Sequence, residues 1–272
     1  MANTVDSEVV LVERNGPTLT ITINRPHRKN ALDNAAWSGL LDALRKAAAP
    51  DIRVVVITGA GSDFCAGADL SGDRGEAHPL ERMRWINEIA QTLHDMPKPV
   101  IAKVRGVAVG AGWNLALVCD FVVASQQARF SQIFARRGLS VDFGGTWLLP
   151  RKVGMLQAKR LALLGDFIDA DEALDLGLAT WVKPEEELDQ FVDELADRLA
   201  QGPPAALAQT KAMLHAGAHQ SFAEALANEA RAQTVNFATD APAALEAFRT
   251  KSTPTFAGEW LVRGAIGTSS TR

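Results

Sequence analysis

The chain has 272 residues, 47% hydrophobic and 22% charged, with 28 Lys and Arg against 32 Asp and Glu for a formal net charge of −4. That apolar share feeds a sizeable core and excludes intrinsic disorder, while the mild negative charge, without a basic run, excludes bulk nucleic-acid or membrane-surface binding. The two cysteines, Cys65 and Cys119, lack CxxC or Cys/His spacing, which excludes a disulfide framework and a structural zinc site.

In chain order, Val10 and Val12 precede a turn at Asn15-Gly16-Pro17, after which Leu19, Ile21 and Ile23 alternate with threonines; this period of two predicts a β-hairpin. Asp33 is placed to cap a helix carrying Trp37, Leu40, Leu41 and Leu44. Val54 to Ile57 is a continuous β-branched run, the signature of a strand buried on both faces. A loop over 59–75 follows, rich in Gly and Asp, then a helix with Met83, Ile86, Ala90 and Leu93 and a strand over 99–104. A small-residue turn over 106–112, a short helix over 113–117 and a strand at 121–123 complete a third cycle, so the fold class is α/β with a mostly parallel sheet.

Beyond Gly154 the strand signals vanish, and Leu188, Phe191, Val192, Leu195 and Leu199 mark a helix. Gly202-Pro203-Pro204 divides the chain into a core, 1–200, and a helical region, 201–272. The latter, with Phe222, Leu226 and Leu245 among alanines, is too poor in large apolar residues for a core of its own and should dock on something; the tail 264–272 is expected to fray. Met1 to Glu8 lacks the basic start and apolar block of a signal peptide. The longest uncharged stretch of the apolar middle, between Arg105 and Asp120, falls short of the roughly 18 residues of a spanning helix. A cytoplasmic location is expected.

Two loops at strand ends carry the chemistry: Phe64-Cys65-Ala66-Gly67-Ala68-Asp69-Leu70 and Gly106-Val107-Ala108-Val109-Gly110-Ala111-Gly112-Trp113-Asn114. Small side chains leave main-chain N–H groups bare for a ligand oxygen, which reads as an oxyanion hole. Gly110-Ala111-Gly112 fails as a dinucleotide fingerprint because Leu115 stands where the third glycine belongs. There is no GxSxG elbow, and His215 and His219 lack the intervening Glu of a zincin, so no metal is expected.

The two loops, with Asn30-Ala31-Leu32 upstream and Cys119-Asp120 downstream, are similar to those of the crotonase (enoyl-CoA hydratase/isomerase) superfamily, and the likeness runs from the hairpin to the segment 247–256. The resemblance implies a ββα-spiral core, a C-terminal helical trimerisation region, a homotrimer or hexamer, and acyl-CoA thioester substrates with no cofactor beyond the coenzyme A they carry. It places the thioester oxygen between the N–H groups of Ala68 and Ala111, the adenine end along Ala66-Gly67-Ala68, and the CoA phosphates near Arg28, Lys29 and, from a neighbouring subunit, Lys251. Asp69, Leu70 and Gly110 fall in the same binding loops.

Hydratases of the superfamily use two glutamates. Counted back from Asp120 the first position is Asn114, and counted between Phe130 and Gly138 the second is Phe134; neither residue titrates near neutral pH. One carboxylate remains, Asp142, which resembles the aspartate that shuttles protons in enoyl- and dienoyl-CoA isomerases of the superfamily. As an alternative, Asp142 caps the helix that follows it. A wall of Phe134, Phe143, Trp113 and Trp85 would raise its pKa by desolvation. The expectation is an enoyl-CoA isomerase. The alternatives are a hydratase-type lyase, a thioester hydrolase or dehalogenase using Asp142 as nucleophile, or a non-catalytic acyl-CoA-binding protein.

Overall fold

The computed structural model describes residues 8–71 and 78–261. The expectations for Met1 to Ser7, for the 72–77 part of the first loop and for the tail lie outside them. Strands β1 (Val10–Asn15) and β2 (Thr18–Ile23) form the expected antiparallel hairpin, and β3 (Val54–Gly59), β4 (Val100–Val104), β6 (Phe121–Ser125) and β9 (Trp181–Lys183) continue it as parallel neighbours in the order β1-β2-β3-β4-β6-β9. The β3 run is buried on both faces because two layers need it. Val55 and Ile57 join the core under helices α1 (Asn34–Lys46) and α2 (Pro79–His94), while Val54 and Val56 pack with Ile101 and Val123 against Leu188, Val192 and Leu195 of helix α6 (Leu188–Ala200). Asp33 caps α1, accepting from the Ala36 N–H at 2.9 Å.

The stretch 106–112, expected to be only a turn, contains strand β5 (Val107–Val109), which pairs with β7 (Arg129–Ser131), itself paired with β8 (Ile168–Asp169). Strands β8 and β9 contradict the expectation that strand signals end at Gly154. With two and three residues they are too short to show a period, and their neighbours rather than their propensity fix them. Helix α3 (Ala111–Val118) is buried all round, α4 (Gly145–Leu164) is interrupted at Gly154, and α5 (Ala170–Asp175) is a single turn and a half.

The chain divides into two compact units that part between Ala200 and Gln201. The second holds α7 (Pro204–Gly217), α8 (Phe222–Phe237), which opens on a Ser221/Glu224 capping box, and α9 (Ala241–Thr250). Its buried residues among those described are Ala232, Thr239, Asp240 and Ala247, while Leu214, Phe222, Phe237 and Phe248 stand 61–85% exposed. No helix among the described residues is long and apolar enough to cross a membrane.

Candidate active site

The two loops leave the C-terminal ends of adjacent parallel strands, β3 and β4, and are stitched together there. Cys65 N–H donates to Val107 O at 3.0 Å and Val109 N–H to Cys65 O at 2.9 Å. Helix α3 starts directly over this stitch. A Cβ on Gly112 would stand 2.3 Å from Cys65 O and 2.8 Å from its Sγ, so only glycine allows the approach. Asn30, fully buried, pins the first loop by donating to Ala60 O and Asp63 O at 2.9 and 2.6 Å while accepting from Arg25 N–H. The carboxylate of Asp69 is held by Ser71 and by Arg25, which together keep it down at about 2.

These ties expose two donors. Gly67 O and Asp69 N–H both bond Leu32, at 2.8 and 2.9 Å, in a parallel bridge centred on Ala68, so the N–H of Ala68 itself points to the opposite edge. Ala111 is the first residue of α3, where no helical acceptor exists for its N–H. A Cβ on Gly67 would lie 3.4 Å from the Ala111 nitrogen, which brings the two loops into one rim.

A cavity of about 600 Å³ opens beside them, and Asp142 lines it together with Ala68 and Ala111. Burial pushes the Asp142 carboxyl up to about 6, against a weaker pull downward from Arg82. Its Oδ1 is buried without a hydrogen-bond partner. The helix-cap alternative fails, since Gly144 is the N-cap of α4 and no side chain caps that helix.

Of the other expected residues, Arg28, Lys29, Ala66, Gly67, Asp69, Leu70, Gly110 and Phe134 line the same cavity. The aromatic wall is corrected. Trp113 is fully buried against Phe130, Phe143 stacks on Trp37 with ring centroids 5.5 Å apart, and Trp85 packs on the core; none lines the cavity. Ile133, Leu139 and Phe167 stand with Phe134 instead, and Arg137 joins Arg28 and Lys29 at the exposed rim. Asn114 is also corrected. It is fully buried, its amide spent on Asp142 O and Gln132 rather than on the cavity. Lys251 belongs to the second unit, where it ends α9. Arg137 and Leu139 flank the Gly138 turn and Phe167 precedes β8, positions without periodic signal; Arg25 and Asn30 are polar residues beside an expected strand end, a signal that could have been read. Among the described residues no cluster of three or more His, Cys, Asp or Glu is placed to ligate a metal.

The α/β core thus sets a two-loop rim of main-chain N–H groups and one carboxylate around a single cavity, the arrangement of an enzyme site. The sequence profile described as Enoyl-CoA hydratase/isomerase matches residues 13–259, and the chain belongs to that acyl-CoA-processing family. It is 40% identical over 241 residues to a "Probable enoyl-CoA hydratase" of Rhodobacter capsulatus, covering 88% of this chain and 93% of that one. It is 36% identical over 261 residues to the 1,2-epoxyphenylacetyl-CoA isomerase of Escherichia coli K12, covering 93% and 99%. Among solved structures, a Thermobifida fusca YX protein in complex with CoA matches at TM-score 0.79 and 34% identity, over 85% of this chain and 93% of that one.

Proposed function

We propose that the protein is an enoyl-CoA isomerase in which Asp142 carries a proton between C2 and C4 of a 3-enoyl-CoA. The observation that carries this reading is the Asp142 carboxyl itself, raised to about 6 with one oxygen unpartnered, in the cavity that Ala68 and Ala111 border. Ionised Asp142 takes a proton from C2, whose electron pair delocalises onto the thioester oxygen. The N–H groups of Ala68 and Ala111 receive that charge; one such donor is worth about 3–4 kcal/mol in the transition state. The protonated carboxyl then returns the proton at C4, leaving the 2-enoyl thioester and an ionised Asp142, so one group serves both halves.

Hydration by the two glutamates that hydratases of the superfamily use would need acid/base groups at positions 114 and 134, and Asn114 and Phe134 offer none. The likeness to an isomerase at 36% identity supports the reading, and the likeness to a hydratase at 40% makes water addition the rival outcome. The CoA moiety, the only cofactor-like group required, would lay its phosphates near Arg28, Lys29 and Arg137. The exposed apolar residues of the second unit support a homo-oligomer, with Phe222 and Phe248 covered by a neighbouring copy.

The test is an absorbance and mass-spectrometric assay of 3-enoyl- and 2-enoyl-CoA thioesters with wild type and Asp142→Asn. Double-bond migration without mass gain, lost in the variant, is expected. A gain of one water that survives in Asp142→Asn would overturn the reading, and hydrolysis to free CoA would favour the nucleophile alternative.

A further inference from the structure

The side chain of Asn114 is fully buried and does not line the cavity, and both its nitrogen and its oxygen have partners. Its Nδ2 donates to the main-chain oxygen of Asp142 at 2.8 Å, and its Oδ1 accepts from Gln132 Nε2 at 2.8 Å. The direction of the relay is fixed by chemistry, because a carbonyl oxygen can only accept, so the amide nitrogen of Asn114 must face it. Gln132 is also fully buried, and turning its own donor toward Asn114 leaves its Oε1 without a partner. A buried orphan oxygen is tolerated where the rest of the network is needed.

The segment that Asn114 grips is strained. Gly145 N–H closes a turn on Asp142 O at 3.0 Å, and both central residues have positive φ, 50° at Phe143 and 79° at Gly144. Such a turn favours Gly, Asn or Asp at its first central position, and an aromatic residue persists there only when its surroundings over-determine it. Two contacts do so: the Phe143 ring stacked on Trp37, and the Asn114 amide on the carbonyl that begins the turn. The turn also lies flat on that amide, since a Cβ on Gly145 would stand 2.5 Å from Asn114 Nδ2. A glutamate at 114 would be one methylene too long for this space and, ionised, would set oxygen against oxygen.

We propose that Asn114, braced by Gln132, is the positioning residue for Asp142, fixing the strained turn from which the carboxyl enters the cavity. Asn meets the requirement because a single short side chain must donate to a carbonyl and accept from an amide at once. Positions 114 and 142 are therefore one device, and the residue that stands in place of a hydratase glutamate is recruited to hold the group that replaces it. This inference rests on Asp142 as the proton carrier.

The test compares kcat and KM on a 3-enoyl-CoA for wild type, Asn114→Leu, Asn114→Asp, Gln132→Met and Asp142→Asn, at temperatures where melting curves show each folded. Asn114→Leu should lose about tenfold or more in kcat with KM changed less than about threefold, as displacement of a reacting group does. Gln132→Met should lose a few-fold in the same sense and carries the test if Asn114→Leu does not fold. In Asn114→Asp the new carboxyl donates only when protonated, so its kcat relative to wild type should climb several-fold as pH falls from about 8.5 to about 6. Among the described residues, the charged side chain that acts on the Asp142 carboxyl is Arg82, which is the same in wild type and variant and leaves that ratio untouched. A folded Asn114→Leu with near wild-type kcat, or a pH-independent ratio for Asn114→Asp, while Asp142→Asn is inactive, overturns the positioning role and leaves the isomerase reading intact. Turnover that survives in Asp142→Asn removes the isomerase reading and the positioning role with it.

Discussion

In the proposed site Ala68 and Ala111 would contribute only peptide N–H groups, set by the stitching of Cys65 between Val107 and Val109, whereas Asp142 would contribute a carboxyl from a turn with two positive φ angles. The first half of the site is main chain and is vulnerable at the residues around it. The second half is a side chain and is vulnerable at itself. Mutations should separate the two halves by where they hurt.

The largest effect is expected at Asp142. Asp142→Asn should lower kcat by about 10²–10⁴-fold, measured on a 3-enoyl-CoA, with thioester affinity retained. The same change should stabilise the fold at pH 8. With its pKa raised from 3.8 to about 6, the folded state holds the proton more tightly than the unfolded chain. The stability present below about pH 4 is therefore lost as pH rises through about 6, a penalty of about 3 kcal/mol that Asn escapes. Urea melts at pH 8 and pH 4 should show the advantage at the first and not at the second.

On the main-chain side, Gly112→Ala forces a Cβ within 2.3 Å of Cys65 O and should displace the Ala111 donor. A loss of about 10²-fold in kcat and about 1–3 kcal/mol in stability is expected, read by kinetics and thermal melting. Asp69→Ala removes a carboxylate that Arg25 meets at 3.0 Å with both side chains about nine-tenths buried. Arg25 keeps Asp33 at 3.0 Å, so the cost should be about 1–3 kcal/mol, short of that for an abandoned buried charge, with a smaller fall in kcat as the Ala68 loop loosens. In wild type, kcat/KM should fall about tenfold per pH unit below about pH 6, as Asp142 becomes protonated. The smallest effect should come from Ala68→Ser, within about threefold of wild type, because a half-buried methyl gains a hydroxyl while the N–H stays in place.

The hairpin, the doubly buried β3 run and the Asp33 cap were legible because each depends on neighbours within a few residues. The two small-residue loops were legible for the same reason, as glycine and alanine placement is a local statement about main chain. Strands β8 and β9 were not, since two- and three-residue strands are fixed by partners such as Phe130 and Val123 rather than by their own pattern. Of the aromatics assigned to the cavity wall, Phe134 faces it while Trp113 and Phe143 turn into the core. Helix α3 is buried on every side and nearly all apolar, so its sequence carries no clear phase from which to choose.

The sequence by itself determined the α/β layering, the two small-residue loops and the absence of titrating side chains at 114 and 134, all properties of residue identity and short spacing; Ala68 and Ala111 were singled out within those loops by the family resemblance. Only the tertiary structure decided that Asp142 is desolvated rather than capping a helix, and that Asn114 faces its carbonyl rather than the substrate. Those outcomes depend on what lies against a side chain from elements 18 to 28 residues away, and burial and hydrogen-bond pairing exist only once those elements meet.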